Sequence, residues 1–290
     1  MLVHIKDLIE DAEKTGYAVG AFNVHNLESI LGVAQAAVRA GSPAIIQVSE
    51  SAIKYMGLKP TTHIVSTVAK NVAGNIPIAL HLDHGKTFHS VFECIAAGFS
   101  SVHIDASSQP LDENIKLTKQ VVEVAHSKGV WVQGEVGAIV GGHGERGGKI
   151  DIPKADPKEV IEFVGKSGVD TIAAAIGTAH GTFENEDVDL DLLKQIKAKV
   201  KIPFVLHGGS GIADDKIKRA IKGGVRIINI GTDIKVAFSD TLKKTCKDNP
   251  DETDPRHLLS PSIKAVEDVV YNKMILFGSA GRYPVGLIET

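Results

Sequence analysis

The sequence predicts an α/β fold, a (β/α)₈ TIM barrel with a helical C-terminal extension, and two observations support this prediction. Eight short apolar segments of strand type alternate with longer amphipathic stretches of helix type. Successive strand segments begin about 23 to 40 residues apart, the length of one strand with its crossover helix. A doubly wound open sheet is the alternative, but its glycine-rich dinucleotide fingerprint is absent after the first strand, where AFNVHNLE stands.

The predicted strands are 18–23, 44–49, 77–83, 101–105, 130–136, 170–177, 203–208 and 226–231. Several of the helical stretches between them end in glycine, as helix C-termini often do. We expect one domain over 1–290, with the barrel over about 1–235 and the extension over about 236–290. The polar stretch KDNPDETDPRH (247–257) predicts a loop or an arm that contacts a partner.

Composition excludes several classes of protein. With 43% apolar residues the chain is not disordered, and 32 basic against 35 acidic residues favour neither nucleic acid nor an anionic membrane as partner. No apolar run reaches the ~18 residues of a membrane span. The charged N-terminus does not fit a secretory signal, and the two cysteines, Cys94 and Cys246, cannot form a disulfide framework. We therefore expect a cytoplasmic protein.

Polar residues stand at the end of every predicted strand. In a (β/α)₈ barrel the C-terminal strand ends form the active site. Polar groups at all eight exits of otherwise apolar strands are typical of a catalytic mouth. These residues are Asn23, Ser49, Asp83, Asp105, Glu135, His180, His207 and Asn229.

Histidine followed by glycine occurs four times, although 12 His and 29 Gly predict only about one such pair. Three of the pairs, beginning at His84, His180 and His207, fall at strand exits. Three neutral imidazoles with one open position form a catalytic zinc site. A lone histidine at a strand end is more often structural, but three at one mouth favour a metal. We interpret the other assigned histidines as a packed interior residue, His81, and surface residues, His4, His63, His126 and His257.

The loops after the seventh and eighth strands, HGGSG (207–211) and NIGTD (229–233), are typical of a phosphate site. Their glycines expose backbone N–H groups, and Ser210 and Thr232 add hydroxyl donors. No lysine stands in the sixth strand or in strands three to five and seven, so we expect no Schiff base. Zinc would then supply the electrophile.

Zinc, phosphate and a carboxylate beside the metal together indicate carbon–carbon bond chemistry on a phosphorylated ketose. The chain resembles the class II, zinc-dependent ketose-bisphosphate aldolases, the family of the fructose- and tagatose-bisphosphate aldolases. The resemblance covers nearly the whole chain and depends on AFNVHNLE, HLDHG, SVHIDAS, GEVG, AIGTAHG, VLHGGSG, NIGTD, DPRHLL and FGSAG.

The resemblance implies a role for each matching residue. His84, His180 and His207 match zinc ligands, and Asp83 matches the aspartate that handles the proton of the substrate C4 hydroxyl. Asp105 and Glu135 match acidic groups around the metal, with Glu135 an alternative ligand. The positions that bind substrate and its first phosphate are Asn23, Gly181, Gly208, Gly209, Ser210, Asn229, Gly231, Thr232 and Asp233.

Further implications concern the distal phosphate and the assembly. Ser49 and Arg256 resemble residues that bind the distal phosphate, the arginine reaching over from a neighbouring subunit. The resemblance therefore implies a homodimer or homotetramer. It also implies a monovalent cation, Na⁺ or K⁺, near the phosphate.

The loop after the fifth strand departs from the family pattern. It reads GEVGAIVGGHGERGG, with two extra residues and Arg146 in place of an aspartate. Glu145 is the candidate for the base that exchanges a proton on the substrate carbon. His143 either only lengthens a mobile lid or takes part in proton transfer or substrate contact.

We expect reversible cleavage of fructose 1,6-bisphosphate to dihydroxyacetone phosphate and glyceraldehyde 3-phosphate. The alternatives of the same class are aldolases for tagatose 1,6-bisphosphate or for another phosphorylated ketose or keto acid. An alternative of another class is a metal-bearing phosphosugar-binding protein without catalysis, against which the intact Asp83 argues.

Overall fold

The computed structural model of the chain describes residues 1–284, without the side chains at positions 143, 144 and 146. The strands are β1 (Val19–Asn23), β2 (Ala44–Ser49), β3 (Ile78–Gly85), β4 (Ser101–Ile104), β5 (Trp131–Val136), β6 (Gly141–Gly147), β7 (Thr171–Ala174), β8 (His180–Phe183), β9 (Phe204–Leu206) and β10 (Val225–Ile230). The helices are α1 (Ile5–Thr15), α2 (Leu27–Ala40), α3 (Glu50–Met56), α4 (Leu58–Asn71), α5 (Phe88–Ala96), α6 (Leu111–Ser127), α7 (Pro157–Ser167), α8 (Leu190–Lys199), α9 (Asp214–Lys222), α10 (Thr232–Asp248) and α11 (Pro255–Phe277).

Eight parallel strands close into a barrel, in the spatial order β1-β10-β9-β7-β5-β4-β3-β2. The predicted (β/α)₈ fold is confirmed, and all eight predicted strands form its wall. The sequence pattern missed a further pair, β6 and β8, which form a two-stranded parallel sheet outside the wall. Glycine-rich β6 carries no apolar alternation, so nothing in its sequence indicates a strand.

The lower end of the barrel is apolar and covered by one helix. Strand residues that alternate toward the axis form the layer, and α1 packs its stripe of Ile5, Leu8, Ile9 and Ala12 against it. The strand residues of this lower layer are Val19, Ala21, Ile45, Ala79, Ala173, Val205 and Ile227. Water is thus excluded from one end, which leaves the other end for ligands.

The outward-facing strand residues pack against the surrounding helices. Phe22, Ile46, Leu80 and Val102 alternate with the axial residues and are completely or almost completely buried in the larger apolar core. Helix ends follow local signals, as at α2, where the Asn26 side chain accepts from Ser29 N and Gly41 ends the helix in a left-handed conformation. These caps set where α2 begins and ends.

The C-terminal segment is helical, as predicted, and its last helix completes the outer ring. Helix α10 follows β10 directly, while α11 packs against α2, α9 and β1. Buried Val266, Val270, Met274 and Phe277 form its inner stripe. The expectation of a loop over 247–257 is wrong at both ends, because α10 extends to Asp248 and the Asp254 side chain caps α11 by accepting from Arg256 N at 2.9 Å.

Within residues 1–284, none of the helices combines the length and the apolar character that crossing a membrane requires.

Candidate metal and substrate site

The end of β3 directs two consecutive side chains into the barrel mouth. The pairing of β3 with β4 shifts register between Leu82 and Gly85, and His84 has φ 49°, a left-handed conformation. Regular alternation would turn His84 away from Asp83. The local irregularity instead brings Asp83 Oδ1 and His84 Nε2 to 3.7 Å. Such strain at one residue is characteristic of a functional site.

His84 is oriented by Asp105 at the exit of β4. Its Nδ1 lies 2.9 Å from Asp105 Oδ2, which also accepts from Lys86 Nζ at 2.7 Å. The Ser107 hydroxyl donates to Oδ1 of the same carboxylate at 2.7 Å. With Nδ1 occupied in this way, Nε2 is the atom of His84 that faces the mouth. This is the arrangement in which a carboxylate fixes the ring of a metal-binding histidine.

His207 at the end of β9 is held in a similar way from the other side of the barrel. Its Nε2 lies 2.8 Å from the amide nitrogen of Gln133, and its Nδ1 lies 3.4 Å from Glu135 Oε2. Glu135 receives a 3.4 Å bond from Ile139 N at its other oxygen. Nδ1 of His207 and Oε2 of Glu135 therefore point into the same space.

His180 enters the mouth from β8, outside the barrel wall. Its ring centroid lies 4.8 Å from that of His84 and 5.8 Å from that of His207. Its backbone N–H donates to Val140 O at 2.8 Å, and the Thr178 hydroxyl donates to His207 O at 2.7 Å. The small sheet and this hydrogen bond thus place the third predicted histidine beside the other two.

Asp83 is positioned by a buried amide relay across three strands. Gln47 on β2 donates from Nε2 to Asn23 Oδ1 at 2.8 Å, and Asn23 on β1 donates from Nδ2 to Asp83 Oδ2 at 2.7 Å. All three side chains are buried. The relay fixes the carboxylate plane and leaves Oδ1 on the side of His84.

Burial and charge separate the protonation states of these groups. Burial holds the pKa of His207 well below its usual range and raises the pKa of Glu135 to about 7. Burial also lowers the pKa of His84, but the charge of Asp83 and the hydrogen bond to Asp105 outweigh it and raise that pKa to about 9. The carboxylates around His84 therefore favour a positive charge at this point of the barrel.

The two loops predicted to bind phosphate lie at the exits of β9 and β10. Gly208 has φ 65°, and a side-chain carbon there would overlap the carbonyl oxygen of Ala179, so only glycine fits. Gly209 N donates to Asn229 O at 3.0 Å, and Asp233 N donates to Ser210 Oγ at 3.2 Å. These bonds join the two loops into one unit.

The turn after β8, which carries Glu186, lies against the loop that follows β9. Glu186 accepts from Ala179 N and Phe183 N, both at 3.3 Å, and so closes the turn that carries His180. Burial raises the pKa of Glu186 to about 7. A side-chain carbon at Gly211 would lie 3.1 Å from Glu186 Oε1, which shows how closely the loops approach.

The residues present fit a divalent metal ion. In the part of the chain that the structure describes, the buried atoms His84 Nε2, Glu135 Oε2 and His207 Nδ1 have no hydrogen-bond partner. Buried polar atoms of this kind are costly unless something binds them. Imidazole nitrogen and carboxylate oxygen are donors that zinc prefers. Two sets of such donors lie close enough together to hold one ion: Asp83, His84, His103 and His207, and His84, Asp105 and Glu135.

A family model described as fructose-bisphosphate aldolase class-II matches residues 3–282. The chain belongs to this family. It is 40% identical over 283 residues to a fructose-bisphosphate aldolase of Geobacillus stearothermophilus, covering 97% of this chain and 98% of the relative. It is also 40% identical over 282 residues to a 6-phospho-5-dehydro-2-deoxy-D-gluconate aldolase of Bacillus subtilis, covering 97% of both.

Solved structures agree with the family assignment. The YdjI aldolase of Escherichia coli K12 superposes with a TM-score of 0.83 at 32% identity, covering 98% of this chain and all of that one. This class-II aldolase family member is therefore an enzyme, a lyase on the TIM-barrel fold. The predicted family resemblance is confirmed.

The structure brings together most of the residues predicted for the aldolase site. One cavity of about 440 Å³ is lined by six of them: Asn23, Ser49, His84, Asp105, Glu135 and His180. Buried Asp83 and His207 each lie beside a lining residue, since Asp83 accepts from Asn23 and His207 Nδ1 lies 3.4 Å from Glu135 Oε2. Lys235 on α10 also lines the cavity. The roles assigned to these residues stay predictions.

Three predicted residues lie elsewhere or have other contacts. Arg256 is exposed at the start of α11, where its Nη2 donates to Asp254 Oδ2 at 2.6 Å. The Glu145 carboxylate accepts from Gly142 N at 3.0 Å within β6. The Ser49 hydroxyl lies 3.0 Å from that of Ser51 and caps α3. The side chain of His143 lies outside the described residues.

Sequence reasoning missed three further residues at the site: Gln47, His103 and Lys235. Gln47 and His103 alternate onto the axial face of their strands, as Asp105 does, and that alternation is the signal that could have found them. Lys235 has no such signal, because only the direction of α10 brings it to the cavity. His81, by contrast, is buried as predicted, with Nδ1 2.9 Å from the Ser101 hydroxyl.

Proposed function

We propose that this enzyme is a zinc-dependent aldolase that reversibly cleaves fructose 1,6-bisphosphate to dihydroxyacetone phosphate and glyceraldehyde 3-phosphate. The proposal depends on one observation: a buried carboxylate, Asp83, stands 3.7 Å from His84 in a cluster of histidines beside glycine-rich loops. His84, His180 and His207 would hold the ion. When bound, zinc would polarise the ketose carbonyl and stabilise the charge that develops on its oxygen.

The chain's own residues would perform the remaining steps. The loops at 207–211 and 229–233 would bind the phosphate next to the carbonyl through backbone N–H groups and the Ser210 and Thr232 hydroxyls. Asp83, held by Asn23, would take the proton of the C4 hydroxyl as the C3–C4 bond breaks. Glu145 remains the candidate for proton exchange at C3, for which its carboxylate must leave Gly142 N and turn into the cavity.

A second cavity beside the first could bind the distal half of the substrate. This cavity of about 430 Å³ adjoins the first and shares His25, Ser51 and Lys235 with it. Lys235 lies in the first turn of α10, where its N–H donates to Gly231 O at 3.1 Å. We propose that Lys235 is a cationic contact for an anionic group of the substrate. Arg256 could add a second from a neighbouring subunit, since it is exposed, in a homodimer or homotetramer.

A second candidate substrate has the same reacting half. The Bacillus subtilis relative acts, by its name, on a 5-keto acid with a phosphate on C6 and a carboxylate on C1, and its identity to this chain is also 40%. Both compounds present a phosphate next to a ketone, so the metal and the phosphate loops would accept either. The distal halves differ: the fructose compound ends in a hydroxyl-bearing carbon and a phosphate, and the keto acid in a deoxy carbon and a carboxylate. Tagatose 1,6-bisphosphate differs from the fructose compound at C4 alone.

Cleavage assays with these three compounds side by side test the proposal. We expect the highest kcat/KM with fructose 1,6-bisphosphate and formation of both triose phosphates. Asp83→Asn keeps the shape of the side chain but lacks its charge, and should lower kcat about 10²- to 10⁴-fold with metal still bound. A higher kcat/KM for the keto acid supports the second candidate. If the wild-type protein and the Asp83→Asn variant both bind metal and show the same background rate, the chain is a non-catalytic phosphosugar-binding protein.

We also propose a cytoplasmic location. Both cysteines are free, Cys94 in the core and Cys246 exposed on α10. An exposed free thiol suits a reducing compartment, which supports the proposal.

A further inference from the structure

One histidine in the barrel has no role in the proposed chemistry. His103 lies on β4, two residues before Asp105, and its side chain points to the barrel axis. It is completely buried, and among the described residues neither of its ring nitrogens has a hydrogen-bond partner. A buried imidazole without a hydrogen bond costs on the order of 1–3 kcal/mol. A ligand would remove this cost.

His103 faces the donor atoms assigned to the metal. Its ring centroid lies 4.7 Å from that of His84 and 5.6 Å from that of His207. Its Nε2 is 4.0 Å from Glu135 Oε2, the oxygen that is 3.4 Å from His207 Nδ1. One donor atom from each of Asp83, His84, His103 and His207 lies within 4.8 Å of the others. His180 is not part of this inner group.

We infer that His103 is a further metal ligand, which together with His84 and His207 gives the ion a buried inner position below the mouth. The inference rests on the proposed metal site, since His84 and His207 belong to both positions. The outer position exchanges His103 for His180, which lies at the rim.

The two positions differ in what they leave for a substrate. With Asp83 beside its three histidines, the inner position has four protein donors, the number found in closed zinc sites. The outer position has three histidines and leaves one place open. His103 would therefore contribute to holding the ion in the substrate-free enzyme, where no substrate oxygen fills the open place of the outer position.

Metal binding by the full-length enzyme tests the inference. The probe is Co²⁺, with affinity measured by chelator competition and coordination followed by the visible absorption of the bound ion. We expect His103→Met to weaken Co²⁺ binding about 10- to 100-fold and to change the spectrum. The matched control is His81→Gln, which alters another buried imidazole of the same barrel and should change neither. Unchanged affinity and an unchanged spectrum in His103→Met would overturn the inference.

A second measurement needs no variant and applies even where His103→Met does not fold. In crystals of the zinc-loaded, substrate-free wild-type enzyme, we expect the anomalous signal of zinc about 2.0–2.1 Å from a ring nitrogen of His103. An ion bound by His84, His180 and His207, with His103 beyond contact distance, would contradict the inner position. Wild-type enzyme that binds zinc through His103 but cleaves none of the three test compounds would refute the proposed function and leave this inference standing.

Discussion

The two ends of the barrel use the same strands for opposite purposes. At the lower end the axial residues are apolar, as with Ile45, and α1 seals them from water. Two residues further along, on most of the strands, the axial residues become polar, as with Gln47, which donates to Asn23 next to the metal-site donors. One step of the strand period therefore separates the layer that stabilises the fold from the layer that does chemistry.

This difference shows that a buried layer does not necessarily stabilise the fold. Both layers are buried, yet the upper one holds His84 Nε2, His207 Nδ1 and Glu135 Oε2 without hydrogen-bond partners within residues 1–284. An apolar layer stabilises the barrel by excluding water. A polar layer with unsatisfied ligand atoms costs stability, a cost that metal binding can offset. The fold tolerates the upper polar layer because the lower apolar layer stabilises the barrel.

Metal removal should produce the largest effect and should affect the upper layer alone. A strong chelator should reduce cleavage to the rate without enzyme, because the donors of His84, His180 and His207 lose the ion they would hold. Circular dichroism should still show the folded barrel, and added Zn²⁺ should restore cleavage. Activity that persists after the metal content has fallen to zero would refute the metal assignment.

Ile45→Ala should damage the lower layer and leave the chemistry intact. Ile45 is buried among the axial residues above α1, so the truncation leaves a cavity and should cost about 2–5 kcal/mol in the free energy of unfolding. Denaturant titration measures this loss. The folded fraction should keep its kcat/KM, and a fall in kcat would show that the two layers are coupled.

The matched control for Ile45→Ala is Gln47→Leu, two residues along the same strand and on the same face. It removes the donor to Asn23, which in turn holds Asp83. We expect kcat to fall about tenfold or more, since small misplacements of a catalytic group are costly.

Lys235→Ala should have the smallest effect, confined to substrate binding at the rim. Loss of a charged contact to an anionic group is worth about 1.5–3 kcal/mol, which corresponds to a rise in KM of about 10- to 100-fold. Steady-state kinetics with fructose 1,6-bisphosphate measures it, with kcat nearly unchanged. Lys243→Ala is the control, because Lys243 is exposed on the same helix and pairs with Asp240 at 3.7 Å. Equal KM values for the two variants would remove Lys235 from the site.

Much of the fold and part of the site follow from local patterns. The eight strands could be predicted because each is a short apolar run bounded by turn residues and followed by an amphipathic helix. Strand exits lie at one end of any parallel barrel, so His84, Asp105, Glu135 and His207 could be assigned to one mouth without coordinates. The family motifs then added roles for Asp83 and His180.

The features that local patterns could not determine depend on the register between neighbouring strands and on the direction of the helices. The sequence by itself determined the barrel, its catalytic end and the residue types at that end, because strand and helix periods are written in neighbouring residues. Only the tertiary structure decided that β3 bulges to turn His84 beside Asp83, that His103 faces Glu135, and that α10 carries Lys235 to the cavity. These relations join residues that are far apart in the chain. They depend on how the strands stagger and how the helices pack, which no short segment encodes.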